Sequence, residues 1–156
     1  MSNSVLDRIR AFLNEKGVAF TEKEHGPTFT SEESAAARGE SLETGAKALL
    51  LKTDDDFRLF ILPAHKKLDS GAIRKHLGVK GTRFATKEEL LELTGLVPGC
   101  IPPFGEPIFP FPAYADIHVG ATGKVAFNAG SLTHSIIMGT ADWEKAARPE
   151  RGTFAA

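Results

Sequence analysis

Apolar residues near the amino end recur every three or four positions and predict an amphipathic helix. They are Val5, Leu6, Ile9, Phe12 and Leu13. Gly17 should end this helix, because glycine readily adopts the left-handed conformation that follows many helices. A short strand is expected next, over residues 18–23, and it should stop at the turn pair Gly26-Pro27.

Two further helices begin at capping boxes, in which a threonine hydroxyl and a glutamate carboxylate satisfy free backbone amides at the helix start. The first box, residues 30–33, opens a helix that runs through Arg38. The second box, residues 86–89, opens a helix that ends at Gly95. Residues 68–77 and 140–147 are also predicted to be helical.

The remaining apolar runs are short and predict strands. Residues 46–53 and 57–63 flank three aspartates, which indicates a hairpin at the centre of a sheet. The other predicted strands cover residues 82–85, 115–119, 124–128 and 135–138. Because strands and helices follow no regular alternation, residues 1–156 are predicted to form a single α+β domain around a mixed, mostly antiparallel sheet flanked by helices. Residues 146–156 should form a frayed tail.

The composition excludes several classes of protein. Hydrophobic residues make up 42% of the chain and charged residues 25%, which is typical of a globular domain. No apolar run approaches the ~20 residues that span a bilayer, and the charged N-terminal pattern does not fit a signal peptide. The one cysteine, Cys100, cannot form an internal disulfide and fits a reducing compartment. We therefore expect a cytoplasmic protein with no membrane partner.

The formal net charge of −1 hides an uneven distribution of charge along the chain. Basic residues cluster between positions 66 and 87, where Asp69 is the one acidic residue. They are Lys66, Lys67, Arg74, Lys75, Lys80, Arg83 and Lys87. Such a stretch can face nucleic-acid phosphates, although an ordinary solvated surface has the same composition.

Three segments carry groups suited to chemistry, and each also has a purely structural interpretation. Lys47 opens an apolar strand, where its ammonium can hold a phosphate, polarise an ester or simply extend into solvent. The loop 95–105 combines glycine and proline, so its amides can face a developing oxyanion, or it can be a stiff connector or a polyproline ligand. The turn 127–135 is rich in hydroxyl, amide and imidazole groups, as surface turns often are.

Several familiar chemistries are missing from the sequence. It contains no Gly-Lys-Ser/Thr phosphate loop, no GxGxxG and no GxSxG motif, and no cofactor is expected. Asp116 and His118 would share one strand face, which is too little for a metal site, so no metal is expected. Cys100 has no nearby histidine pattern and is interpreted as a loop residue rather than a nucleophile.

Three motifs, taken in order, give the chain a resemblance to a known family. They are GAKALLLK at residues 45–52, GLVPGCIPPFG at residues 95–105 and FNAG at residues 127–130. Together they resemble the YbaK/prolyl-tRNA synthetase-associated editing domain over about residues 20–143. The resemblance implies a free-standing enzyme with a barrel-like core that hydrolyses the ester between a small amino acid and the 3′ end of a mischarged tRNA.

The resemblance also implies roles for particular residues. Lys47 matches the signature functional lysine, and Gly99 and Pro103 match the ends of the family's GxxxP loop, so these three are predicted to be catalytic. The predicted substrate-binding residues are Gly95, Cys100, Ile101, Pro102, Asn128, Gly130, His134 and Ser135. From the charge distribution, the tRNA is expected to contact Lys66, Lys67, Arg74, Lys75, Lys80 and Arg83. Water or the substrate's neighbouring hydroxyl, rather than a protein side chain, would attack the ester.

The sequence departs from the family pattern at two of these positions. Cys100 stands where a glycine or small polar residue is common, and Asn128 where a serine can occur. The amino acid that is removed therefore stays open among alanine, cysteine, serine and threonine. Expected partners are the aminoacyl-tRNA acceptor end and an aminoacyl-tRNA synthetase, and not DNA. Two other functions stay open: a silent module that binds tRNA or a synthetase, and an interaction domain that displays residues 98–112.

Overall fold

Helices and strands both contribute to the structure, a computed structural model that describes residues 4–156. The helices are α1 (Val5–Lys16), α2 (Ser31–Arg38), α3 (Ser70–Leu77), α4 (Lys87–Thr94) and α5 (Thr140–Ala147). The strands are β1 (Thr21–Glu24), β2 (Ala46–Thr53), β3 (Asp56–Pro63), β4 (Thr82–Phe84), β5 (Ala113–Asp116), β6 (Lys124–Asn128), β7 (His134–Gly139) and β8 (Glu150–Gly152). None of the helices described over residues 4–156 is long and apolar enough to cross a membrane.

Helix starts and ends follow the capping signals in the sequence. The hydroxyls of Thr30 and Thr86 each accept a hydrogen bond of 3.1 Å from the backbone amide three residues on. The carboxylates of Glu33 and Glu89 in turn accept hydrogen bonds from the backbone amides of those threonines, which completes both predicted capping boxes. Glycines in the left-handed conformation then end four of the helices: Gly17, Gly39, Gly78 and Gly95.

The strands form two sheets that do not close into a barrel. A five-stranded sheet has the order β4-β2-β3-β5-β8, and a three-stranded sheet has the order β1-β7-β6. Four of the ladders are antiparallel, whereas β3–β5 and β5–β8 are parallel, so the predicted mostly antiparallel α+β class is confirmed. The barrel-like closure is not found within residues 4–156, because an isolated bridge between Gly45 and Ala126 is what joins the two sheets.

Apolar side chains cover both faces of the five-stranded sheet. Leu50, Leu59 and Ile61 point to one face and belong to the larger core cluster, which also takes in α1, the three-stranded sheet and Trp143. The opposite face packs a smaller cluster beneath α3. Its fully or nearly fully buried members are Leu51, Phe60, Leu62, Ile73, Tyr114 and Phe154.

The proline-rich segment between α4 and β5 lies largely inside the protein. Its buried members include Cys100, Ile101, Phe104, Ile108, Phe109 and Phe111. The Phe104 ring packs edge-on against Phe127, with ring centroids 5.4 Å apart. The interaction-domain hypothesis required an exposed segment over residues 98–112, and this burial contradicts it.

The C-terminal residues are ordered, which corrects the prediction of a frayed tail over residues 146–156. Strand β8 pairs in parallel with β5, and the Phe154 side chain is fully buried. The Asp116 carboxylate accepts hydrogen bonds from the backbone amides of Phe154 and Ala155 at 2.9 and 3.1 Å. The prediction failed because the tail depends on an aspartate 38 residues away in sequence, which no local pattern reveals.

Asp116 also explains why β5 is shorter than the strand predicted at residues 115–119. Its second carboxylate oxygen accepts a hydrogen bond of 3.0 Å from the backbone amide of His118, which turns the chain away from the sheet. Burial alone would raise the pKa of the Asp116 carboxyl, but the donors from Phe154 and His118 hold it below its ordinary value. Asp116 and His118 therefore serve to anchor the chain end.

We expect Phe154→Ala to lower the free energy of unfolding by about 3–5 kcal/mol, because it opens a cavity between α3 and the sheet. Phe29→Ala is the matched control: its ring is 76% exposed, so its loss should change stability by less than about 0.5 kcal/mol. Chemical denaturation followed by the fluorescence of the buried Trp143 measures both variants. Equal stabilities would show that the tail is not part of the core.

Candidate active site

A cavity of about 190 Å³ opens at the start of β2, between α2 and the proline-rich segment. Its walls bring together residues from five separate parts of the chain. They are Thr28, Phe29, Thr30, Ser31, Ser34, Arg38, Gly45, Ala46, Lys47, Ala48, Leu49, Ala64, Gly99, Ile101 and Asn128. Four of these were predicted as site residues from the sequence: Lys47, Gly99, Ile101 and Asn128.

The cavity exists because β2 has a neighbour on one side for only part of its length. Strand β3 pairs along all of β2, whereas β4 pairs with Leu51, Lys52 and Thr53. The Leu50 carbonyl accepts from Ala85 on the β4 side, at 2.9 Å, so Leu50 does not bond to β3. Two residues earlier on the strand, the N–H and C=O of Ala48 point the same way, and no strand within residues 4–156 pairs with them there. The cavity therefore has an open sheet edge in its wall.

Lys47 places an ammonium at the rim of this cavity. Its Nζ donates a hydrogen bond of 3.3 Å to the Ala64 carbonyl, and the side chain is half-buried. Burial lowers the pKa of Lys47 below its ordinary value. Glu32 opposes this effect by attracting the charge, whereas Lys67 adds to it by repulsion. Lys47 thus carries a weakly solvated charge with no carboxylate bonded to it in residues 4–156.

The loop of residues 95–105, called the Gly99 loop below, contributes Gly99 and Ile101 to the cavity wall. Gly99 has a φ of +92°, in the left-handed region that favours glycine. Asn128 fixes the loop from behind, because its side-chain amide donates a hydrogen bond of 2.8 Å to the Gly99 carbonyl. A second tie is the bond of 2.9 Å from the Gly130 amide to the Cys100 carbonyl. Two hydrogen bonds therefore fix the loop to the end of β6 and the turn that follows it.

Arg38 is a second cation in the cavity, and the sequence analysis did not identify it. Its guanidinium donates to the Ser135 hydroxyl at 2.9 Å and to the Asn128 amide oxygen at 3.0 Å. Burial lowers the pKa of Arg38 to about 10, although Glu40 opposes the shift, so the group stays charged at neutral pH. The sequence offered one signal: Arg38 lies three residues after Ala35 and four after Ser34, so it shares a helix face with two small residues that can be buried.

His25 joins the same network from the end of β1. Its Nδ1 lies 2.8 Å from the Gly26 carbonyl, which can only accept, so Nδ1 carries the hydrogen. The other ring nitrogen, Nε2, lies 2.8 Å from the Ser135 hydroxyl. In the neutral ring Nε2 accepts that hydrogen bond. Ser135 is therefore a shared contact of α2, β1 and β6 behind the cavity rather than a group in its wall.

The other predicted site residues are not among those that line the cavity. Pro103 is buried, and its carbonyl accepts a hydrogen bond of 3.0 Å from the Trp143 indole. Gly95 ends α4, Pro102 is buried in the loop, and His134 contacts Thr133. Burial raises the pKa of the Cys100 thiol, which favours the neutral, weakly nucleophilic form.

The predicted tRNA-binding residues differ in how close they lie to Lys47. Lys67 lies close enough to Lys47 to affect its pKa, and Lys66 is its neighbour. Arg83 pairs across the ladder with Lys52, five residues along β2 from Lys47, which is about 17 Å at the usual rise per residue. Its charge is also matched, because Glu89 accepts two hydrogen bonds from it, at 2.7 and 2.9 Å. The remaining three, Arg74, Lys75 and Lys80, are exposed.

The cavity can bind and polarise a ligand, but it does not contain a nucleophile paired with a base. Lys47 and Arg38 supply positive charge, and the Gly99 loop and the β2 edge supply backbone groups. No histidine, cysteine or carboxylate is among the lining residues that the structure describes. Such a site suits a reaction in which negative charge develops on the substrate and a small molecule or the substrate itself attacks.

Comparisons with known proteins agree with the resemblance seen in the sequence. A sequence model described as the aminoacyl-tRNA editing domain matches residues 25–146. The chain is 34% identical over 152 residues to the Escherichia coli (strain K12) protein named multifunctional Ser/Thr-tRNA deacylase ProXp-y. That alignment covers 94% of this chain and 90% of the Escherichia coli protein.

Two further matches are to proteins whose names refer to prolyl-tRNA synthetase. It is 34% identical over 108 residues to the proline–tRNA ligase of Shouchella clausii (strain KSM-K16), an alignment that covers 69% of this chain and 19% of the ligase. A crystal structure of a candidate trans-editing enzyme for prolyl tRNA synthetase superposes with a TM-score of 0.84 at 24% identity. The superposition covers 100% of this chain and 99% of that one, and it shows a shared fold.

The charges around Lys47 give a prediction that can be tested without a substrate. Lys67→Gln removes a repelling charge and should raise the pKa of Lys47, whereas Glu32→Gln removes an attracting one and should lower it. Lysine side-chain NMR across a pH titration measures both, with Lys47→Met to assign the signal. Lys75→Gln, on α3, is the control and should leave the titration unchanged. Shifts of the opposite sign would contradict the placement of these charges.

Proposed function

Because the chain belongs to the aminoacyl-tRNA editing domain family, we propose that it hydrolyses the ester bond of a mischarged aminoacyl-tRNA in the cavity beside Lys47. The observation that carries this proposal is the meeting of the Lys47 ammonium and the Gly99 loop at one cavity without a nucleophile–base pair. In this reaction a water oxygen attacks the ester carbonyl carbon and gives up a proton; attack by the neighbouring ribose hydroxyl would only move the ester to that oxygen, and water would still have to cleave it. The bond to the tRNA oxygen then breaks, and that oxygen leaves with a proton.

The protein side chains would act on charge and position. As the attack proceeds, the carbonyl oxygen becomes negative, and backbone amides of a rigid loop stabilise such an oxygen without reorganising. The Lys47 ammonium would hold the phosphate next to the terminal adenosine or polarise the ester itself. Phe29, exposed at the cavity mouth, offers an aromatic face on which the terminal base can stack.

The size of the cavity favours a small amino acid. About 190 Å³ is less than the roughly 300–1,000 Å³ of pockets that hold drug-sized ligands. Four hydroxyl-bearing residues line it, Thr28, Thr30, Ser31 and Ser34, although the hydroxyls of Thr28, Thr30 and Ser34 also bond within the protein. A site that hydrogen-bonds a substrate hydroxyl discriminates strongly against the analogue without it. We therefore expect serine or threonine to be removed faster than alanine, which fits the name of the Escherichia coli relative.

The acceptor end of the tRNA would approach across Lys66 and Lys67. These two residues follow β3 and lie beside Lys47, so phosphates near the aminoacylated end can reach them. Arg83 is a weaker candidate than the charge of the stretch suggested, because Glu89 already neutralises it. A prolyl-tRNA synthetase is the synthetase partner we propose, on the basis of the matches to a proline–tRNA ligase and a candidate trans-editing enzyme.

The first test is deacylation of seryl-, threonyl-, alanyl- and cysteinyl-tRNA carried by noncognate tRNAs. We expect wild type to hydrolyse at least one of these, and Lys47→Ala to lower kcat/KM for it by about 100–1,000-fold. Lys52→Ala is the matched control, because Lys52 lies on the same strand with its Nζ 5.9 Å from the centroid of the Phe57 ring. Hydrolysis of none of the four by wild type would contradict the proposed function and favour a silent binding module.

A pair of glycines tests the loop. Gly99→Ala places alanine at φ +92°, which strains the backbone by about 1–2 kcal/mol. Gly123→Ala does the same at φ +96° in a turn where an added Cβ meets nothing within 4 Å. We expect both variants to lose similar stability, measured by thermal unfolding, while Gly99→Ala alone lowers kcat, by about tenfold or more. Equal rates in the two variants would mean that the loop takes no part in the reaction.

A further inference from the structure

The buried guanidinium of Arg38 hydrogen-bonds to a cross-strand pair of residues in the three-stranded sheet. Asn128 of β6 and Ser135 of β7 face each other in the ladder. Two neighbouring nitrogens of the guanidinium, Nε and Nη2, donate to the Ser135 hydroxyl and to the Asn128 amide oxygen. The Ser135 hydroxyl itself lies 3.3 Å from the same amide oxygen. The planar fork therefore fixes both side chains at once.

Asn128 carries this constraint on to the loop. Because its oxygen accepts from Arg38, its nitrogen must be the end that faces the Gly99 carbonyl, to which it donates at 2.8 Å. The orientation of the amide is thus fixed by two contacts: the guanidinium can only donate, and the Gly99 carbonyl can only accept. A continuous path of hydrogen bonds runs from α2 through Arg38 and Asn128 to Gly99.

The third guanidinium nitrogen of Arg38 is turned toward the cavity. Nη1 has no hydrogen-bond partner within residues 4–156, and it lies 3.7 Å from where a Cβ on Gly45 would stand. The residue as a whole is only 6% exposed, and both groups that it holds are neutral. A buried charge without a counterion costs free energy, so a neutral side chain would serve better if packing alone were required.

We propose that Arg38 is a positioning residue of the deacylation site. Through Asn128 it holds the Gly99 loop in the orientation that aims the loop's backbone donors at the reacting ester. This inference rests on the proposed function and adds to it a residue that does not match any of the three sequence motifs. It also assigns Asn128 to the support of the loop, in addition to the predicted contact with substrate.

The test is a double-mutant cycle on the tRNA that wild type deacylates. We expect Arg38→Met and Asn128→Ala each to lower kcat by up to about 100-fold, with KM for the tRNA nearly unchanged, because loop geometry and not tRNA affinity is lost. The double variant should be no slower than the slower single variant, since both changes break one path. When Arg38→Met is instead combined with Lys67→Gln, the fold-losses of kcat/KM from the two single variants should multiply. Multiplied effects in the Arg38–Asn128 cycle would overturn the proposal.

Two variants separate positioning from charge and from general stability. Arg38→Lys keeps the positive charge but lacks the fork, so it should lose nearly as much kcat as Arg38→Met. Arg151→Met removes another half-buried arginine, which donates to the carbonyls of Asp116 and Val119 at 2.7 and 3.1 Å. It should lower stability and leave kcat unchanged. Full activity in Arg38→Lys, or an equal loss of kcat in Arg151→Met, would contradict a positioning role.

A spectroscopic measurement keeps the inference independent of the proposed function. The backbone amide signals of Gly99 and Cys100 report the orientation of the loop in the free protein. We expect these signals to shift in Arg38→Lys and Asn128→Ala and to stay in place in Arg151→Met. If wild type deacylates nothing, the proposed function fails, and this comparison still decides whether Arg38 sets the loop. Unchanged Gly99 and Cys100 signals in both variants would overturn the inference, even if Arg38→Met fails to fold.

Discussion

The unequal neighbours of β2 are the constraint on which the candidate site depends. Strand β3 satisfies one side of β2 completely, whereas on the other side β4 reaches only its last three residues and a single bridge at Gly45 touches its start. The backbone of β2 around Ala48 therefore keeps an open edge, and a further strand there would fill the space that α2 and the Gly99 loop now enclose. Because of this open edge, Lys47 and Ala48 face the cavity. The open edge also explains why the cavity lies at the start of the strand.

Two buried charges anchor the parts of the chain that local sequence cannot hold, and they do so in different ways. Asp116 is matched by backbone donors, which stabilise its charged form and fasten Phe154 in the smaller core cluster. Arg38 donates to neutral oxygens, and burial lowers its pKa to about 10, although Glu40 opposes the shift. The first arrangement favours the folded chain directly. The second keeps a positive charge without a bonded carboxylate beside a cavity, where charge that develops on a substrate gains the most from it.

The sequence predicted what depends on local chemistry. The capping boxes at Thr30 and Thr86 and the hairpin between β2 and β3 follow from short patterns and were confirmed. The prediction of a frayed tail failed because the contacts of the tail come from distant residues. Arg38 was missed because an arginine at the end of a helix usually carries a solvated charge, and its partner Asn128 is far away in sequence. The basic stretch stays a prediction, but the pairing of Arg83 with Lys52, about 17 Å along β2 from Lys47, could not be read from local sequence.

The asparagine at position 128 makes sense once Arg38 is considered with it. The resemblance allows a serine at this position, and a hydroxyl can also accept one hydrogen bond and donate another. Its oxygen, however, sits on Cβ, whereas the Asn128 amide extends further and presents its acceptor and donor on two separate atoms. One atom meets the guanidinium at 3.0 Å and the other meets the Gly99 carbonyl at 2.8 Å. With serine the loop would have to approach β6 more closely, so the identity of residue 128 and the width of the cavity are linked through Arg38.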